Sequence, residues 1–129
     1  AREAAWQPPA GGNTIWQTLR HMNYSNEFML KRITGAAVEP WPERNEETFG
    51  PAAAPEDEES WRAEVARAGE LAGRLQEAMA SLSEADLDRP LQGMGTVAAS
   101  LAAWVMHDAY HTGQIVLIRK MQGSWPATR

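Results

Sequence analysis

The sequence predicts an all-α, up-and-down helical bundle. Two observations carry that prediction. Three stretches repeat apolar residues at alternating spacings of three and four, the mark of a helix with one buried face. Between them lie Pro- and Gly-rich breaks, and no stretch alternates apolar and polar residues as a strand would.

Residues 1–13 read as a loop, because TrpGlnProProAlaGlyGlyAsn carries two Pro and two Gly. Asn13 or Thr14 then serves as N-cap for a helix over about 14–34. Its seam is Ile15, Leu19, Met22, Met29 and Ile33, with Asn26 filling the gap, and Gly35 ends it. Residues 36–55 hold Pro40, Pro42, Pro51 and Pro55 and read as a long loop, a feature often tied to function. Its Trp41 and Phe49 read first as packing that pins the loop to the bundle, and second as cover for a pocket mouth. The acidic run 56–59 suits a helix N-terminus. A second helix over about 56–82 follows, with Trp61, Val65, Ala68, Ala72, Leu75, Met79 and Leu82 as its seam. Arg62, Glu64, Arg67, Glu70, Arg74 and Glu77 form a solvated outer face. Residues 83–95 connect, and Thr96 caps a third helix over about 96–121. Val97, Leu101, Trp104, His111, Ile115 and Ile118 line its seam, with Asp108 on the same line, and Gly123 and Pro126 stop it. The 129 residues make one domain, 1–129.

Composition narrows the function. A net charge of −5 gives no basic face for nucleic acid. No apolar run nears the roughly 20 residues of a membrane span. The absence of cysteine excludes disulfides, a thiol nucleophile and Cys-ligated metal, and fits a cytoplasmic location. No signal peptide is visible, although the chain opens at Ala1 rather than Met.

The only three histidines are His21, His107 and His111. His107 and His111 stand one helical turn apart, about 40° on the wheel, on an apolar stripe. Two buried imidazoles there need polar partners, and a metal ion is a natural one. A third imidazole from a facing helix completes a three-nitrogen site with an open position, the catalytic rather than the structural arrangement. His21 lies about 120° off its own seam and would project from a groove rim, where an ordinary exposed histidine would also sit. Asp108 is the candidate catalytic residue: it would orient an imidazole, act as a base, or ligate, and a stripe-edge side chain reaching solvent is the plain alternative. Gln114 and Tyr110 are secondary candidates, the first hydrogen-bonding near a ligand and the second packing between helices. Trp16 and Trp104 read as core or pocket wall.

Three segments resemble one family. ThrIleTrpGlnThrLeuArgHisMet (14–22), AspLeuAspArgPro (86–90) and HisAspAlaTyrHisThrGlyGlnIle (107–115) are similar to the DinB-like superfamily of bacterial proteins, which includes the YfiT group. The last segment matches every fixed position of the family's HxxxHxGQI. The resemblance implies a four-helix bundle, often a homodimer, with one divalent metal, usually zinc or nickel, held by His21, His107 and His111. It also implies either a hydrolase or a transferase or isomerase using a low-molecular-weight thiol on a small-molecule substrate. A non-enzymatic, stress-related binding protein and a structural dimerisation bundle are the alternatives. The family normally begins with a helix before the Pro-Gly loop. Here the chain starts almost at that loop, so about 20–30 residues of helix are expected to be absent.

Overall fold

Thr14 starts the first long helix, α1 (Ile15–Thr34), through a reciprocal capping box. Its side chain accepts from the Gln17 N–H, and the Gln17 side chain accepts from the Thr14 N–H. Gly35 closes α1 in the left-handed region at φ 74°, where a side chain would be strained, and donates to the Lys31 carbonyl. The computed structural model describes residues 1–91 and 93–125. Within them follow a short 3-10 turn (Asn45–Phe49), α2 (Glu58–Ala80), the single turn α3 (Glu84–Leu87), and α4 (Val97–Met121). A two-residue antiparallel pair, β1 (Pro90–Leu91) with β2 (Gly95–Thr96), leads into α4. Helix bounds fall within two residues of the expected ones; Pro126, expected to help stop α4, lies outside the described residues.

The all-α bundle is present, but its chain order is not simply up and down. Trp16 packs on Trp61, Asn23 on Glu64, Glu27 on Arg67, and Leu30 and Ile33 join Leu71 and Leu75. Both helices advance together along this series, so α1 and α2 run parallel. α4 is antiparallel to α1: Trp16 joins Ile118, Asn26 accepts from the Trp104 indole, and Leu101 packs against the cluster that holds Met29, Leu30 and Ile33. A parallel neighbour requires the chain to return along α1, about 30 Å for twenty residues, which needs at least about nine extended residues. The long Pro-rich segment supplies this length. It descends beside α1, with Trp41 against Tyr24 and Phe28, the Gly50 carbonyl on Gln17, and the Pro51 carbonyl on Arg20.

This return path makes α1 the central helix, covered by α2, α4 and the loop. It also rotates the expected seam of α2. The face that packs is Trp61, Glu64, Ala68, Leu71, Leu75, Ala78 and Leu82, while Val65 is 46 % exposed. Glu64, expected on the solvated face, turns inward because its carboxylate accepts from Asn23 Nδ2 at 2.7 Å and lies 3.6 Å from Arg20. Two apolar clusters result: Met29, Leu30, Ile33, Leu71 and Leu75 at one end, and Ala4, Ile15, Trp16 and Ile118 at the other. Outward from α1, α4 leaves Val105, Met106, Leu117 and Met121 exposed. No described helix is long and apolar enough to cross a membrane.

Candidate metal centre

Between the two apolar clusters, α1 and α4 face each other with polar side chains. His21 comes from the second turn of α1, and His107 and His111 from adjacent turns of α4. One ring nitrogen of each lies within 4.8 Å of the others. His21 Nε2 and His107 Nε2 are 2.8 Å apart. The antiparallel pairing of α1 with α4 brings them to the same level.

Each imidazole has its other nitrogen engaged. The Thr48 hydroxyl donates to the Asn45 carbonyl at 2.6 Å, so it accepts from His21 Nδ1, also at 2.6 Å. His107 Nδ1 faces the Asp108 carboxylate at 3.2 Å. His111 Nδ1 donates to Gln114 Oε1 at 2.7 Å, and Gln114 donates onward to the Tyr110 hydroxyl. With the proton fixed on Nδ1, each Nε2 carries a lone pair, and two of these lone pairs point at each other. Such a contact is repulsive unless a cation lies between them. A hydroxyl, a carboxylate and an amide therefore set three imidazoles in the tautomer a metal needs. With no cysteine in the chain, no thiolate can join the site and the three imidazoles supply nitrogen, which suits a divalent ion such as zinc, nickel or copper.

Electrostatics agree. Burial, and then His111 and His107 beside it, lower the His21 pKa to about 4 against the opposing charge of Asp108. Burial likewise lowers that of His111, against the Gln114 hydrogen bond. Both rings therefore stay neutral, and able to ligate, at neutral pH.

His21 differs from its expected position at a groove rim: it is 3 % exposed. The reason is the returning loop, which lays Phe49 on the imidazole at 4.1 Å and 3° between planes, and Thr48 on its edge. Trp41 and Phe49 do pin the loop, and they also line the cavity. That cavity, about 910 Å³, opens beside the three histidines between α1, α4 and the loop. Trp104 is wall, as expected, whereas Trp16 is core. Tyr110 is 64 % exposed rather than packed between helices. Asp108 touches His107 but does not line the cavity. Thr48 and Ser25 were not legible as site residues. Thr48 sits in a segment without helical periodicity. Ser25, 3.5 Å from His107 Nε2, has its place only because α1 is buried all round.

No curated protein and no solved structure matches the chain. Its residues 1–115 match the family model described as the DinB superfamily.

Proposed function

The chain belongs to the DinB superfamily, and on that premise we propose that it is a metal-dependent enzyme. His21, His107 and His111 hold one divalent ion, zinc or nickel, through Nε2. When bound, the ion lowers the pKa of water or of a low-molecular-weight thiol, giving a nucleophile at neutral pH. The chain's own residues prepare that chemistry. Thr48, Asp108 and Gln114 fix the three rings. Phe49 and Trp41 exclude water on the loop side, and the cavity leaves space for a small-molecule substrate. Of the roles open to Asp108, the contact with His107 Nδ1 at 3.2 Å favours orienting that ring.

The observation that carries this reading is the pair of Nε2 atoms at 2.8 Å, each on a ring whose Nδ1 already has an acceptor. Elemental mass spectrometry of untagged protein tests it. One zinc or nickel per chain, lost in His107→Ala and His111→Ala, is the expected result. Absence of metal after reconstitution would overturn it. Thiol-transfer and hydrolysis assays on the loaded protein then separate the two reaction classes. A second copy of the chain is the partner this reading favours for the open apolar face of α4. Light scattering should return twice the chain mass, falling toward one chain in Met106→Lys.

A further inference from the structure

The cavity has two unlike ends. α1 presents His21, Ser25, Phe28 and Arg32 to it, at spacings of four, three and four, so they form one stripe. α4 answers with Ser100, Trp104, His107 and His111 at the same spacings and in the opposite direction. The groove thus runs from the imidazoles to Arg32, eleven residues or about 16 Å along α1. Side chains on a helix lean toward its N-terminus. Accordingly the Arg32 guanidinium folds back over the Phe28 ring at 4.9 Å, toward the histidines. Phe28, Met29, Trp41 and Trp104 give the stretch between the ends apolar walls.

Among the described lining residues Arg32 is the one arginine or lysine, and Glu46 the one carboxylate. Glu46 belongs to the 3-10 turn that carries Thr48 and Phe49 onto His21, so the acidic group lies at the imidazole end and the basic group at the other. We propose that Arg32 recognises an anion, and that the ligand is an elongated amphiphile with a carboxylate on the end remote from its reacting atom. A planar guanidinium offers two parallel N–H groups that match a carboxylate, and stacking on Phe28 orients the fork beforehand. The proposal rests on the metal-centre reading for the reacting end and is independent of it at the Arg32 end.

Two tryptophans in the wall, Trp41 and Trp104, give a direct readout. Metal-free protein is titrated with octanoate and with octanol, following tryptophan fluorescence. Octanoate should bind at least tenfold more tightly, by the strength of a charge-assisted hydrogen bond. Arg32→Gln should erase that preference while leaving octanol affinity within about twofold, and Arg32→Lys should restore part of it. Equal affinity for acid and alcohol, no binding of either, or a preference that survives in Arg32→Gln would overturn the proposal. Because the titration uses no metal, failure to load zinc or nickel would sink the metal reading and leave this one standing.

Discussion

Two halves of the same helix do different work. The last turns of α1 put Met29, Leu30 and Ile33 against Leu71 and Leu75, an apolar cluster with every member at most 5 % exposed. The middle turns bury His21, Asn23, Ser25 and Asn26 instead. Burying polar atoms gains little even when each is paired, whereas burying a leucine contributes about 1.5–3 kcal/mol. The difference teaches that most of the packing energy and the chemistry are separated along one element, so the apolar half can be altered with little effect on the site.

The largest test of that separation is Leu75→Ala. Leu75 is fully buried, and its truncation should cost about 2–5 kcal/mol in denaturant unfolding while metal content stays unchanged. A loss of metal in the folded variant would break the comparison. Next comes pH. The folded protein holds His21 neutral to about 4, whereas the unfolded chain protonates it near 6.5. Stability of the metal-free protein is therefore fully present above 6.5 and falls as pH drops from there to about 4, by up to about 3 kcal/mol. His21→Leu should flatten that slope in urea titrations run across the window. Third, Gln114→Leu removes the acceptor on His111 Nδ1 and should weaken metal binding about 10–100-fold in a chelator competition, with unfolding little changed. Fourth, Trp104→Phe leaves Asn26 Oδ1 without its donor and should cost about 1 kcal/mol. Smallest is Arg74→Ala on the outer face of α2, whose exposed pair with Glu70 should be worth less than about 0.5 kcal/mol.

The helices and the three histidines could be read from the sequence because both depend on local periodicity. Thr14 and Gly35 announced the ends of α1, and the one-turn spacing of His107 and His111 placed them together. What could not be read was the direction in which α2 returns, since a long Pro-rich segment states its length but not its path. That path decides the rest. It buries His21, which a single-seam view left at a rim, and it brings Thr48 and Phe49 onto the ring. The rotation of α2 was missed for a related reason. Val65, Ala72 and Met79 fit an apolar seam better than Glu64, Leu71 and Ala78 do, and it is the partners Asn23 and Arg20 that draw Glu64 inward.

The site is also assembled from parts of the chain that lie far apart in sequence. His21 meets Thr48 across 27 residues of chain and His107 across 86. Contacts so distant in sequence close only after the entropy of the intervening loops has been overcome. The α1 and α2 helices, by contrast, are held by capping and short-range turns that need no such closure. Joining the imidazoles therefore carries a loop-closure cost that forming the helices bearing them does not. An ion bound before α1 packs on α4 would have at most the HxxxH pair of α4 to hold it, until His21 arrives with the third nitrogen.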